Sequence, residues 1–348
     1  MKLECLQPCL RAVGFLTKYL RGEAIFLSAT MPDHSALFQR YIGDAKCREL
    51  ILDKQDTRFF QKCRYSYLGM TDMEAVAQRA LDYPSSLIIV NSRKTAREIY
   101  RLLTGRKYHL STYMTPFDRS ETIPKIRRDL ADGEKITVVS TSLVEAGVDL
   151  YFQAVFRQLA GLGSILQSGG RCNREGRLDH GDVFIFETED KLRGDMKVRA
   201  AIVRDLLDRG CELTSEESIK EYYSRLFAYS DELIEQNSIS AGVDRLDGIP
   251  FRSYAEGFGF IKDETVSVVI ESCGEAAQLV EQLPFGGKTV RRKLQRYSVS
   301  LRVHGELDRA LKAGLLRETD SGFFILSAGD RYNSETGLDI DYQPDYID

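Results

Sequence analysis

The stretch "SLIIVNSRKTAREIYRLL", from Ser86 to Leu103, joins a continuous apolar run to an amphipathic helical pattern. The apolar run predicts a strand that is buried on both faces, as the strands of parallel sheets are. Ser92 predicts the N-cap of a helix from Lys94 to Leu103, because a serine oxygen accepts a hydrogen bond from the first helical turn. A buried strand followed directly by a helix indicates a βα unit of a parallel sheet.

The same alternation extends over the first half of the chain. Further predicted strands are "AIFLSA" (Ala24–Ala29), "KITVVST" (Lys135–Thr141) and "DVFIFE" (Asp182–Glu187). Helical patterns lie between them, at 73–81 and 119–130. We therefore expect an α/β fold with a parallel, doubly wound sheet and helices on both faces. Such sheets bind ligands beyond the carboxyl ends of their strands.

After about residue 190 the pattern changes. Charged helices are predicted at 192–207 and 215–227, and a glycine-rich, irregular region follows them. The strand-like "TVSVVIES", a helix at 274–283 and the alternating "RYSVSLRV" come next. This order predicts a helical linker followed by a small α+β C-terminal domain.

Composition restricts the class of protein. The chain has 348 residues, 43% hydrophobic and 29% charged, which is typical of soluble globular proteins of two or three domains. No apolar run approaches the about 18 residues of a membrane span, and the start lacks the pattern of a secretory signal. Seven cysteines without a CxxC pair favour reduced thiols in the cytoplasm. The four histidines lie far apart in sequence, so we expect no metal site.

Charge is distributed unevenly although the net charge is only -4. Residues 91–128 contain ten Lys and Arg against three Asp and Glu. Residues 288–302 contain six basic residues and no acidic one, whereas residues 330–348 contain six acids and one arginine. The basic stripes are either solvated helix faces or a track for nucleic-acid phosphates.

Four short stretches carry the candidate chemistry. They are "LSATMP" (27–32), "IVNSRKTA" (89–96), "VVSTSLVEAGVDL" (138–150) and "QSGGRCNREGR" (167–177). Each is weak evidence on its own: "LSATMP" and "VEAGVDL" are also found in ordinary turns, and the arginine-rich stretch is also compatible with a surface salt-bridge cluster. Three of them follow predicted strands and the fourth opens near a helix, so we expect the set to form one ligand site.

In this order the stretches resemble motifs III to VI of superfamily 2 helicases. "LSATMP", "STSLVEAGVDL" and "GSILQSGGRCNREGR" resemble the CRISPR-associated helicase-nuclease of type I systems, as do "LSTYMTPFDR", "LQRYSVSL" and "YNSETGL". The resemblance covers almost the whole chain and implies a RecA-like sheet. It divides the chain into residues 1–50 (a remnant of the first RecA-like domain), 51–190 (the second RecA-like domain), 191–230 (the linker) and 231–348 (a C-terminal accessory domain).

The resemblance implies that ATP and Mg²⁺ are held mainly by a first RecA-like domain, while this chain reaches the nucleotide from the other side. A guanidinium suits that task, because its planar fork pairs bidentately with phosphate oxygens and stays protonated. The residues implied around the nucleotide are Arg174 as the arginine finger, Arg171 and Gln167 beside it, Gly147 and Asp149 closing on the nucleotide, and Ser28 and Thr30 relaying its state.

The resemblance also implies a grip on the backbone of single-stranded DNA. Small hydroxyl and amide side chains at strand ends hold phosphates and sugars without reading sequence. The implied DNA-contacting residues are Asn91, Ser92, Thr112, Thr141 and Ser142. The Cascade surveillance complex is the implied protein partner.

Several motifs of the family are not found in the sequence. A phosphate loop requires G-x-x-x-x-G-K-[ST] between a strand and a helix, and the nearest match, "QLPFGGKT", begins with Gln282 and is followed by residues that we predict as a strand. No His-Asp dipeptide of a nuclease dyad occurs. We therefore expect an upstream helicase-nuclease half to be supplied in trans or lost, and ATP hydrolysis by this chain alone to be absent.

Two functions remain open on the sequence. One is the C-terminal part of an ATP-dependent single-stranded DNA helicase of type I CRISPR interference. The other is a non-catalytic fragment that binds DNA or Cascade and regulates interference.

Overall fold

A computed structural model describes most of the chain. The described residues are 6–26, 35–42, 63–145, 148–173, 179–236, 265–320, 322–327 and 329–340. By their contacts, residues 62–159, 167–191 and 264–348 form one compact unit, and residues 1–61, 160–166 and 192–263 form a second. The domain boundaries predicted at 50, 190 and 230 remain predictions.

The first unit is built on a six-stranded parallel sheet. Its strands are β1 (Cys63–Met70), β2 (Ser85–Ile89), β3 (Lys107–Leu110), β4 (Ile136–Ser140), β5 (Ala154–Gln158) and β6 (Gly181–Glu187). The spatial order is β1-β6-β5-β2-β4-β3, and every neighbouring pair is parallel. The predicted α/β class with a RecA-like parallel sheet is confirmed.

Helices cover both faces of this sheet. They are α3 (Met73–Ala80), α4 (Arg93–Leu102) and α5 (Pro116–Ala131). Ile88 on β2 belongs to the apolar cluster that includes α3 and α4, whereas its neighbour Leu87 belongs to the cluster that includes Ile126 of α5. Successive residues of a strand point to opposite faces, so β2 is buried on both sides as its apolar run predicts.

Polar side chains start each of these helices. The Ser92 hydroxyl accepts a hydrogen bond from the Thr95 N–H at 3.0 Å, which confirms the predicted N-cap. Thr115 caps α5 in the same way, and Pro116 follows at the first helical position. Proline is favoured there because its missing N–H has no helical partner in any case.

Three strands of the sheet were not predicted. β1 alternates between exposed and partly buried residues at the edge of the sheet, and β3 is only four residues long. β5 carries Arg157 and Gln158, yet both are buried. The predicted strand Ala24–Ala29 is wrong for residues 24–26, which form no strand, and its other residues lie outside the described ranges.

The C-terminal residues of this unit form a second, smaller sheet in the order β8-β7-β10-β9. Its strands are β7 (Thr265–Val269), β8 (Ser298–Arg302), β9 (Leu316–Glu318) and β10 (Phe324–Leu326), with helices α9 (Ala276–Glu281), α10 (Gly287–Leu294) and α11 (Asp308–Lys312). Helix α10 corrects the prediction of a strand after "QLPFGGKT". That stretch lies between two helices, so it lacks the preceding strand of a phosphate loop.

A C-terminal hairpin completes the first unit. It comprises β11 (Tyr332–Asn333) and β12 (Gly337–Leu338), which pair antiparallel. Tyr113, from the loop after β3, is buried in the same apolar cluster as Leu338 and the small sheet. The C-terminal residues therefore share a core with the parallel-sheet domain.

The second unit is helical in its described part. It contains α1 (Leu6–Tyr19), α2 (Ser35–Tyr41), α7 (Gly194–Asp208) and α8 (Glu216–Gln236). Leu6, Leu10 and Leu37 form the apolar contact between α1 and α2. Helix α6 (Leu162–Gly169) passes from this unit into the first. In the described ranges, no helix combines the length and apolarity that crossing a membrane requires.

Candidate functional site

The five predicted DNA-contacting residues lie at the carboxyl edge of the parallel sheet. Asn91 and Ser92 follow β2, Thr141 and Ser142 follow β4, and Thr112 follows β3. Because β2, β4 and β3 are consecutive neighbours in the sheet, the structure brings these residues to one edge. The side chains of Thr112 and Ser142 are exposed, whereas Thr141 is buried.

The side chain of Asn91 is bonded within the protein. Its Nδ2 donates to the Leu159 carbonyl at 2.8 Å, and its Oδ1 accepts from Nη1 of Arg157 at 2.8 Å. Its backbone N–H donates to Oε1 of Gln158 at 2.7 Å. Asn91 therefore joins the ends of β2 and β5, and Ser92 with Thr112 and Ser142 provides the hydroxyl groups of the edge.

Arg157 is the centre of this arrangement although it is only 2% exposed. Its Nη1 also donates to the Gln158 carbonyl at 2.7 Å, and its Nη2 lies 3.2 Å from Oε1 of Glu145. Burial lowers the pKa of the Arg157 guanidinium, and the Glu145 carboxylate opposes that effect. A buried guanidinium stays charged only when it is paired and hydrogen-bonded in this way.

Glu145 connects the sheet to "QSGGRCNREGR" (residues 167–177), which we call the arginine segment. Its carboxylate pairs with Arg157, and its backbone carbonyl accepts from Nη2 of Arg171 at 2.8 Å. A continuous path of buried and partly buried contacts therefore extends from Asn91 through Arg157 and Glu145 to Arg171. We call these four residues, together with Gln158, the Arg157 network.

Arg171 is held at its base by the sheet. Its carbonyl accepts from the Phe152 N–H at 2.9 Å, and the Phe152 carbonyl accepts from the Asn173 N–H at 3.0 Å. The Cys172 thiol between them is buried and exchanges a hydrogen bond with Cys63 of β1, which raises the pKa of Cys172 and lowers that of Cys63. The backbone from Arg171 to Asn173 is thus firmly anchored at both ends.

Arg171 retains unused hydrogen-bond donors. The residue is 8% exposed, and in the described part of the chain neither Nε nor Nη1 has a partner. Orphaned cationic donors of this kind fit an anionic oxygen such as that of a phosphate. The donor set is therefore compatible with a nucleotide, and the bond to Glu145 gives Arg171 a positioning role as well.

Other predicted nucleotide residues are placed less closely. Gln167 is exposed on α6, and the exposed Asp149 accepts from the Tyr151 hydroxyl at 3.3 Å. Four predicted residues lie outside the described ranges: Ser28, Thr30, Gly147 and Arg174. Within the described ranges, no three His, Cys, Asp or Glu side chains are grouped as metal ligands.

The C-terminal hairpin holds the loop that carries Thr112. The Tyr332 hydroxyl accepts from the Thr115 N–H at 2.9 Å, and the Leu338 N–H donates to the Tyr113 carbonyl at 2.9 Å. Nearby, Arg97 of α4 pairs with Asp339 at 2.6 Å and is almost fully buried. The hairpin therefore holds the loop at Tyr113 and Thr115, next to the exposed Thr112.

Sequence reasoning missed Arg157, Glu145 and Tyr332. An arginine inside the apolar run "AVFRQ" was a usable signal for the first two, because a charged residue in a buried strand requires a partner. Tyr332 gave no such signal, since its contact depends on the folded position of a segment more than 200 residues away.

Comparison with known proteins gives a consistent family relation. The family model described as CRISPR-associated nuclease/helicase Cas3, C-terminal, matches residues 83–177, which include most of the carboxyl edge and the arginine segment. A Cas3 nuclease/helicase from Haloferax volcanii is 43% identical over 84 residues, which are 23% of this chain and 9% of that protein. One from Methanothermobacter thermautotrophicus is 32% identical over 132 residues, 35% and 16% of the two chains.

The fold has a counterpart among solved structures. A crystal structure of a CRISPR-associated protein superposes with a TM-score of 0.54 at 17% identity, over 88% of this chain and 44% of that one. In every one of these comparisons, the match covers less than two thirds of the relative. Residues 83–177 are therefore similar to the C-terminal region of the CRISPR-associated nuclease/helicase Cas3, and the fold of the chain is similar to that of a CRISPR-associated protein of known structure.

Proposed function

We propose that this chain supplies the second RecA-like domain of an ATP-dependent helicase that moves along single-stranded DNA in type I CRISPR interference. The observation that carries the proposal is the Arg157 network, which joins the carboxyl edge to the arginine segment through hydrogen bonds and one ion pair. A motor requires such a connection between the site that holds DNA and the site that senses nucleotide.

The nucleotide side of the proposal rests on the arginine segment. ATP and Mg²⁺ would be held mainly by a first RecA-like domain, and Arg174 would reach the γ-phosphate from this chain. An arginine finger contributes about 10³ to 10⁵ in rate by stabilising charge in the transition state. Arg171 fits a supporting role, because its free donors suit a phosphate while Glu145 fixes the guanidinium.

Four more residues are proposed around the nucleotide. Gln167 would hydrogen-bond near the arginines, and Gly147 with Asp149 would close on the nucleotide, the glycine allowing close backbone approach. Ser28 and Thr30 would transmit the state of the nucleotide into domain movement.

The DNA side rests on the exposed hydroxyl groups of the carboxyl edge. The exposed Thr112 and Ser142 would bind phosphate and sugar oxygens, and the half-buried Ser92, whose hydroxyl also caps α4, would assist them, which gives grip without sequence preference. Thr141 lies deeper, and Asn91 would act through the network because its amide is bonded to β5. A shift of Arg171 on ATP binding would pass through Glu145 and Arg157 to Asn91, directly beside Ser92.

ATP hydrolysis in the presence of single-stranded DNA tests this function. We expect no turnover by the chain alone and DNA-stimulated turnover when a first RecA-like domain of a Cas3 relative is added. Rapid hydrolysis by the chain alone would contradict the proposal, as would a mixture that binds DNA but never hydrolyses ATP.

A second function, a non-catalytic fragment that binds DNA or Cascade in the cytoplasm, is favoured by the fact that the carboxyl edge lies entirely within this chain. Its distinguishing result is salt-dependent binding of single-stranded DNA, or capture of purified Cascade, together with no ATP hydrolysis in any mixture. The Cascade partnership follows from the family relation and is tested by the same capture experiment.

A further inference from the structure

Helix α10 presents an unusual concentration of positive charge. Five basic residues between 288 and 296 are exposed: Lys288, Arg291, Arg292, Lys293 and Arg296. We call them the α10 basic surface. In the described part of the chain, none of the five forms an ion pair with a carboxylate.

The geometry of α10 explains why these side chains face outward. Val290 and Leu294, four residues apart on one side of the helix, are buried in the core of the small sheet. The basic residues occupy the remaining positions, and pairs such as Lys288 and Arg292 are like charges at i and i+4. Such pairs are unfavourable in an isolated helix, and a bound anion would relieve them.

A groove of about 560 Å³ lies along this surface. Its lining contains Arg292, Lys293 and Arg296, together with Thr289, Gln295 and Pro116, and no carboxylate. Pro116 is the first residue of α5 and comes four positions after Thr112. One wall of the groove is therefore only four residues along the chain from the exposed hydroxyl of Thr112.

An aromatic ring stands next to these charges. Phe285, two residues before α10, is 92% exposed, which makes it the most exposed of the large apolar side chains in the described ranges. Surfaces that bind single-stranded nucleic acid combine a cationic groove for the backbone with aromatic rings on which bases stack. An acidic protein partner would pair with the charges, but it would give no reason for a single exposed aromatic ring beside them.

We propose that the α10 basic surface and Phe285 bind the backbone and a base of single-stranded DNA that leaves the carboxyl edge past Thr112. This inference rests on the proposed function and adds a second contact region in the C-terminal part of the chain. The DNA would run from the hydroxyl groups at the ends of β2, β4 and β3 into the groove at Pro116.

Binding of a fluorescent oligothymidylate to the full chain, measured over a range of salt concentrations, tests the inference. In the groove variant, Arg292, Lys293 and Arg296 are all replaced by alanine. Each lost phosphate contact lowers the slope of log K against log salt by about 0.7, so the variant should lose about 2 from the slope and roughly 10- to 100-fold in affinity.

The matched control removes the same charge elsewhere. Arg64, Arg79 and Lys135 are exposed, and they lie near the start of β1, the end of α3 and the start of β4, at the amino edge of the sheet. Their triple alanine variant should bind within about threefold of wild type. Phe285→Ala should weaken binding about fivefold or more, with the salt slope unchanged, because stacking carries no counterions. All changed residues are exposed, and circular dichroism verifies that the fold is retained.

The outcomes separate this inference from the proposed function. If the groove variant binds DNA with the affinity and salt slope of wild type, the inference is overturned, but DNA binding by the carboxyl edge is not. A wild-type chain that does not bind DNA overturns both. Tighter binding of polyglutamate than of oligothymidylate at equal salt would assign the surface to an acidic protein and overturn the inference.

Discussion

Replacing Arg157 with methionine removes the charge at the centre of the buried network while keeping a side chain of similar length. The substitution breaks the 3.2 Å ion pair with Glu145 and the 2.8 Å hydrogen bond to Asn91. It removes the guanidinium that pairs with the mostly buried Glu145 carboxylate. Breaking a buried pair from one side costs about 3–5 kcal/mol, because the remaining charge loses that ion pair in a poorly solvated site.

The free energy of unfolding, measured by urea titration with far-UV circular dichroism, provides the assay. A loss of about 3–5 kcal/mol corresponds to a thermal midpoint lower by about 6–20 °C in a unit of this size. Adding Glu145→Gln should restore stability to within about 2 kcal/mol of wild type, since the buried carboxylate is then removed together with the guanidinium. The Arg171 bond persists in that double variant, because it uses the backbone carbonyl of residue 145.

An exposed ion pair in the same unit supplies the control. Arg317 lies 2.7 Å from Glu271, and the two side chains are 49% and 33% exposed. Arg317→Met should cost less than about 1 kcal/mol, as exposed pairs usually do. If Arg157→Met costs no more than this control, then Arg157 is not a desolvated, indispensable link, and the reasoning about the network fails.

Three further predictions concern the first unit. Burial lowers the pKa of His109 to about 3, so below pH 6.5 the unfolded state binds more protons than the folded state. The free energy of unfolding should therefore fall by up to about 1.4 kcal/mol per pH unit as the pH is lowered from 6.5 towards 3. A His109→Gln variant whose stability falls with pH as steeply as that of wild type would contradict this. Gly337 has a φ of +77°, and a Cβ added there would lie 2.3 Å from the Tyr113 backbone. Gly337→Ala should therefore lower the thermal midpoint much more than Gly314→Ala, because Gly314 also has a positive φ but open space around it. Equal losses in the two variants would refute the close contact. Tyr332→Phe should speed amide hydrogen exchange at residues 111–115 about tenfold, and unchanged exchange would show that the hairpin does not hold this loop.

The sequence predicted those parts of the fold that depend on local pattern. β2 and β4 are continuous apolar runs, and their burial on both faces follows from that alone. β5 was not predicted because Arg157 and Gln158 interrupt its apolar run, and their partners come from a residue just after β2 and from the loop after β4. Helix α10 escaped because its start, "PFGGKT", contains residues typical of turns, and its helix is supported by burying Val290 and Leu294 against the small sheet.

The candidate site was predictable in position but not in connection. Residues that follow neighbouring parallel strands must meet at one edge, so Ser92 and Ser142, which follow the predicted strands β2 and β4, could be placed from sequence. Thr112 could not be placed in this way, because the four-residue strand β3 before it was not predicted. The hydrogen bond that holds the Asn91 side chain inside the protein could not be predicted, because its partner Arg157 is 66 residues away and the bond exists only after the sheet forms. The double use of Glu145, by its carboxylate and its backbone carbonyl, is likewise a property of the folded chain.

The most direct test of the central claim is the rate of DNA-stimulated ATP hydrolysis by this chain combined with a first RecA-like domain, compared between wild type and Arg174→Ala. Loss of the finger should lower the rate by about 10³ or more, whereas Arg64→Ala, an exposed arginine on β1, should change it less than twofold. A rate that survives Arg174→Ala within tenfold, or falls equally with Arg64→Ala, would contradict the claim that this chain completes a nucleotide site from across a domain junction.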